Sequence, residues 1–167
     1  MDDFDSMPST EMFARRDAAE KEISGLIGQF VFTYSRLVTG LHLCVAWHDE
    51  GKGLKKHAAT AQDLGVSYLL RSIDKQARRT LGANSNGFKA YKNWLRRAHQ
   101  IRETRNLLMH SRWGIEAFGR YAIAVTTPVL VEPVVERTFT ADQLRFACQA
   151  CEKLGTELNR LRQDHPL

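Results

Sequence analysis

The amino-acid sequence predicts a mainly α protein: an up-down four-helix bundle with a small antiparallel β insertion before its last helix. Three observations lead there. Apolar residues step by three and four along two long stretches, one early and one at the C-terminal end. Two shorter amphipathic stretches lie between them. From about residue 113 to residue 138 the helical period gives way to Val, Ile, Tyr and Thr. With 167 residues, 43% hydrophobic and 26% charged, the chain suits a single domain over residues 10–167 with a sizeable core.

Residues 1–9 are polar and acidic and read as a flexible tail. They hold no basic n-region and no apolar h-region, so no signal peptide is read and the cytoplasm is the expected location. No apolar run approaches the roughly 18 residues of a membrane span, so no membrane partner is expected. Ser9 or Thr10, just after Pro8, is placed to cap the first helix. That helix runs to about Trp47, with a seam through Ile23, Ile27, Phe30, Tyr34, Leu37, Leu41 and Cys44. Gly25, Gly28 and Gly40 inside it predict close approach of a neighbouring helix. "HDEGKGLKK" then marks a loop.

Within residues 54–82, Leu69, Leu70, Ile73, Ala77 and Leu81 form a short stripe that Gly82 closes as a C-cap. Ser85 or Asn86 opens the third helix, whose buried face is Tyr91, Trp94, Leu95, Ala98 and Ile101. "GRYAIAVTTPVLVEPVVERTFT" predicts two or three antiparallel strands, with turns at Gly119 and around Pro128 and an edge position at Pro133. Thr140 and Gln143 form a capping box for the last helix, with Phe139 and Leu144 as the hydrophobic staple. Its seam is Leu144, Ala147, Cys151, Leu154, Leu158 and Leu161.

The three cysteines are too few for a disulfide framework. Cys148 and Cys151 have C-x-x-C spacing but fall inside a helical pattern, with no second Cys/His pair at zinc-finger distance. They read as small buried hydrophobes rather than as a metal or redox pair. Of the other histidines, His42 lies beside the first seam, and His48 stands near the end of that helix with Asp49 adjacent. None pairs with a carboxylate at convincing metal-ligand spacing, so no metal or cofactor is expected. No Gly-rich phosphate loop, nucleophile elbow or H-E-x-x-H occurs, which leaves the common ATPase, hydrolase and zincin classes without support.

Net charge is +5, and its distribution matters more than its size. From Arg71 to Arg105 the chain carries ten lysines and arginines against two acids, Asp74 and Glu103. Two readings of this run stand: solvated helix faces, or an electrostatic footprint for nucleic acid. At its end is "RETRNLLMHSRW". Extending the apolar stripe of the third helix by four and three lands on Arg105 and then Leu108. An arginine there must find partners, because an unpaired buried charge is costly. Glu103 and Glu116 are candidate partners.

Asn106 and His110 are four apart and share a helix face. Arg105 and His110 are five apart and diverge by about 140° on a regular helix. The helix bends or ends between them, the arginine stem reaches round, or a second copy of the chain completes the site. Histidine titrates near neutrality and serves as general acid or base. Arginine binds phosphate bidentately and stabilises its transition-state charge, and asparagine can orient the histidine. Together they suffice for RNA cleavage, in which the ribose 2′-OH is the nucleophile. Trp113 has two readings as well: stacking on a base or packing under the β insertion.

The stretch "RNLLMH" resembles the R-x4-6-H motif of the HEPN superfamily, in which a polar residue follows the arginine. The helical layout and the long first helix with "GQFVFTYSRL" are also similar to bacterial members. The resemblance implies a homodimeric α bundle and a metal-independent endoribonuclease of toxin–antitoxin, phage-defence or RNA-processing type, with an antitoxin or other protein partner. It implies Arg105 and His110 as catalytic and Asn106 as supporting. Arg96, Arg97, Arg102 and Arg112, with Trp113, would guide RNA. Members that pair with a nucleotidyltransferase antitoxin often carry tyrosine two residues after the histidine, where this chain has Arg112. The β insertion departs from the minimal pattern. Two alternatives stand beside the ribonuclease: an inactive HEPN-like module binding nucleotide, RNA or protein, and a helical protein whose seams only make oligomers.

Overall fold

A computed structural model of the chain describes residues 7–47, 51–55, 58–59, 65–127 and 132–167, and the statements below concern these. The first six residues of the expected tail, the turn at Pro128, and His48 with Asp49 lie outside them. The chain is mainly helical, with a small antiparallel sheet before the last helix. Its helices are α1 (Ser9–Ala46), α2 (Val66–Leu81), α3 (Asn86–His110) and α4 (Ala141–Asp164). Its strands are β1 (Arg112–Ile115), β2 (Ala122–Val125) and β3 (Glu136–Phe139). Two compact units share these elements: Met1–Val31 with Thr104–Cys148, and Phe32–Glu103 with Gln149–Leu167. Helices α1, α3 and α4 each contribute to both.

In the first unit, α1 begins at Ser9 rather than after a Ser9 or Thr10 cap. The Pro8 carbonyl accepts from Glu11 and Met12 N–H at 3.0 and 3.1 Å, which puts both hydroxyl residues inside the first turn. The sheet has the order β1-β2-β3, antiparallel throughout. Trp113 pairs with Ala124, and Ala122 with Phe139. Residues directly opposite in a ladder point to the same face. On that face β2 supplies only alanines, Ala122 and Ala124, both fully buried. The room they leave lets the rings of Trp113 and Phe139 meet across the central strand, centroids 5.7 Å apart. Pro133 lies before β3 instead of within it, as its missing N–H favours.

Helix α4 opens on the expected capping box. The Thr140 N–H donates to Gln143 Oε1 at 2.9 Å, and the Gln143 N–H donates to Thr140 Oγ1 at 3.2 Å. Cys148 Sγ, about two turns on, donates to the Leu26 carbonyl of α1 at 3.6 Å. Gly25 and Gly28 do not admit a close helix: a Cβ at either would meet nothing within 4 Å.

The second unit is built on the aromatic face of α3. Tyr91 and Trp94 are fully buried, with Leu95, Ala98 and Ile101 beside them. The Trp94 indole Nε1–H donates to the Leu154 carbonyl of α4 at 3.0 Å, and the Tyr91 hydroxyl to the His165 carbonyl at 3.2 Å. Gly40 of α1 faces Leu158 at an ordinary 3.7 Å, so it too is not the site of an unusually close approach. α2 buries Leu69, Leu70, Ile73 and Ala77 and ends where Gly82 adopts φ 81°, a conformation glycine tolerates. Ser85 Oγ accepts from the Phe88 N–H at 3.0 Å and caps α3.

Burial pushes the Cys44 thiol up to about 11 against a partial offset from the Arg162 cation. Burial, and then Cys44, push the Tyr91 phenol up as well. The folded chain therefore keeps protons that the unfolded chain releases, and stability falls as pH rises from about 9 through 11. Urea titrations across that range are expected to show the loss, and Cys44→Ala to flatten it; an unchanged slope in the variant would assign the loss elsewhere. Trp94→Phe removes the buried donor to Leu154 and part of the ring. The expected cost is about 1–3 kcal/mol by urea unfolding.

Candidate functional site

The last two turns of α3 carry Arg105, Asn106 and His110 within the first unit. Arg105 is half-buried between buried Ile101 and Leu108, as the interrupted apolar stripe predicted. Asn106 and His110 are exposed. The helix does not end between Arg105 and His110, since it stays α-helical through His110. Arg105 Nη1 donates to Oδ1 of the adjacent Asn106 at 3.3 Å. A guanidinium and a carboxamide thus sit about one turn before an exposed imidazole, with Asn106 and His110 on one face.

The residues just after the motif stop the helix. The Ser111 N–H and hydroxyl both donate to the Leu107 carbonyl, at 3.1 and 2.6 Å. The Trp113 indole N–H donates to the Leu108 carbonyl at 3.0 Å. The carbonyls of a helix's last turn lack partners within the helix, and these donors supply them. Trp113 is half-buried, with its N–H on α3 and its ring against Phe139, so it packs in the sheet. Arg112 is exposed on β1 and donates to the Thr127 carbonyl at 2.9 Å.

Glu116 pairs with Arg120, whose Nη2 lies 3.1 Å from its Oε1. Burial raises the Glu116 carboxyl, but the Arg120 guanidinium and the backbone N–H groups of Arg120 and Phe118 outweigh it and hold the pKa below its usual range.

The other basic candidates stand in the second unit. Arg97 forms an ion pair with Glu157 at 2.6 Å. Arg102 donates to Ser67 Oγ. Arg96 is exposed and donates to Asn93 Oδ1 at 2.9 Å.

Arg16, Glu20 and Ser24 of α1 were not singled out by the sequence, yet with Trp113 and Ile115 they line an open groove of about 490 Å³ in the first unit. Their four-residue spacing on one helix face was the available signal. Among the described residues no three His, Cys, Asp or Glu side chains gather as metal ligands would. No described helix is long and apolar enough to cross a membrane.

Compared with family models, curated proteins and solved structures, the chain matches none of them. Trp113→Phe keeps an aromatic ring against Phe139 but removes the donor at the end of α3. It is expected to cost about 1 kcal/mol and to speed amide hydrogen exchange at Ser111; unchanged exchange there would show that Ser111 alone holds the helix end.

Proposed function

We propose that this chain is a metal-independent endoribonuclease of HEPN type, an up-down helical bundle acting as a homodimer. The observation that carries the proposal is the Arg105 guanidinium held on Asn106 Oδ1, one turn before the exposed His110 at the helix end. In this scheme an imidazole nitrogen of His110 takes the proton of the ribose 2′-OH. The freed oxygen attacks the adjacent phosphorus, and the bond from phosphorus to the 5′-oxygen breaks. Products are a 2′,3′-cyclic phosphate and a 5′-hydroxyl, the leaving oxygen taking a proton from the imidazolium or from the motif of a second copy. Arg105 stabilises the charge that accumulates on the phosphoryl oxygens. Asn106 positions that guanidinium and the strand beside it. A cytoplasmic location, and an antitoxin or other protein partner, belong to the same proposal.

The test is cleavage of single-stranded RNA by purified protein in excess EDTA, beside Arg105→Ala and His110→Ala. Each variant is expected to lose at least about 10²-fold in rate, and DNA of the same sequence to resist. Equal cleavage by all three proteins, or none by any, overturns the catalytic assignment. Binding without cleavage by the unsubstituted chain identifies an inactive binding module instead.

A further inference from the structure

We infer that the groove between α2 and α3 in the second unit is a binding track for the phosphate backbone of RNA. The inference takes its choice of polyanion from the ribonuclease proposal and sets Arg96 in a track with Arg71, Lys92 and His99. The groove encloses about 520 Å³. Leu70 and Leu95, nearly inaccessible to solvent, form its floor. Arg71 and Asp74 of α2 and Lys92, Arg96 and His99 of α3 form its polar walls.

The charge in the groove is unbalanced. Three permanent cations face one carboxylate, and Asp74 already lies 3.3 Å from Lys92 Nζ. Among the described residues the two arginines are held by neutral oxygens. Arg71 Nε donates to the Ser67 carbonyl at 3.3 Å, and Arg96 Nη2 to Asn93 Oδ1 at 2.9 Å. Both guanidiniums are therefore positioned without being neutralised, and each keeps N–H groups for a phosphate. His99 is half-buried and adds an imidazole on the same wall.

The walls are rows rather than isolated charges. Lys92, Arg96 and His99 follow at four and three residues, and exposed Lys89 extends that row by three. Exposed Lys75 stands four residues beyond Arg71. Four residues advance a helix by about 6 Å, a step comparable to the separation of successive phosphates in an extended strand. Arg97, by contrast, is paired with the Glu157 carboxylate, and Arg102, which donates to Ser67 Oγ, does not line the groove. The phosphate-facing arginines are thus Arg71 and Arg96.

The experiment measures binding of a labelled single-stranded RNA of about 12 nucleotides to the full chain carrying His110→Ala, so that cleavage cannot intrude. Binding is followed against salt concentration. On that background Arg71→Ala/Arg96→Ala is compared with Lys21→Ala/Lys153→Ala, an equal charge loss at exposed positions outside the groove. Arg71→Gln/Arg96→Gln, which keeps much of each stem, guards against a folding defect, and circular dichroism checks every variant.

Both arginine double variants are expected to weaken Kd by at least about tenfold. They are also expected to flatten the slope of log K against log salt by roughly 1.4, two phosphate contacts at about 0.7 each. The lysine control should stay within about twofold of the parent. An unchanged Kd, equal weakening by the lysine control, or no RNA binding by the parent overturns the track. So does parent binding of a glutamate-rich peptide in place of RNA. Cleavage by the unsubstituted chain is scored separately. Cleavage with arginine-insensitive binding sinks the groove alone, and arginine-dependent binding without cleavage sinks the catalytic proposal alone.

Discussion

The termination of α3 is the constraint on which the rest of the first unit depends. A helix leaves its final carbonyls without internal partners, and a helix end that is not exposed to water must find donors elsewhere. Here the donors come from the next three residues. Ser111 closes on Leu107 through backbone and hydroxyl, and Trp113 closes on Leu108 through its indole. Trp113 is also the β1 residue opposite Ala124 and the ring against Phe139. One side chain therefore ends the helix and anchors the sheet. His110 is the last helical residue as a result, and the change from helix to strand takes a single residue.

A second theme is how the fold distributes its cations. In the sequence, ten basic residues between Arg71 and Arg105 look equivalent. In three dimensions they differ. Arg97 is directed to Glu157, Arg102 to Ser67 and Lys92 to Asp74. Arg145 and Arg120, outside that run, turn to Glu22 and Glu116. The more exposed of these ion pairs, such as Lys92–Asp74 and Arg145–Glu22, contribute little to stability. Their effect is to decide where positive potential remains, and it remains where arginines are tethered by carbonyl and carboxamide oxygens instead of carboxylates.

Much of the architecture was legible because it repeats. The seams of α1 and α4, the aromatic face of α3 and the stripe of α2 are periodic, and burial follows them closely. The capping signals at Ser85, Gly82 and Thr140 were legible because they act over three or four residues. What escaped depends on side chains turning toward neighbours that no period relates. Arg105 meets the very next residue, and Glu116 closes a turn with Arg120 rather than reaching the motif. Glycines in α1 were read as contact points, but an absent side chain is equally compatible with open solvent, and Gly25 and Gly28 face that. In the candidate site the shared face of Asn106 and His110 followed from spacing alone, whereas the hydrogen bond from Arg105 to Asn106 depends on the side-chain rotamers that the fold selects.

The three-stranded sheet has one further consequence, for how copies of this protein can meet. A short open sheet exposes unpaired N–H and C=O groups along both outer strands, a template on which another chain can extend the ladder. Here each outer strand is only four residues long. Arg112 stands on one, and exposed Glu136 and Arg137 on the other. Charged side chains at such edges make strand-by-strand growth into fibrils unfavourable. Any self-association of the chain would then rest on side-chain shape and charge rather than on backbone hydrogen bonds at the sheet edges.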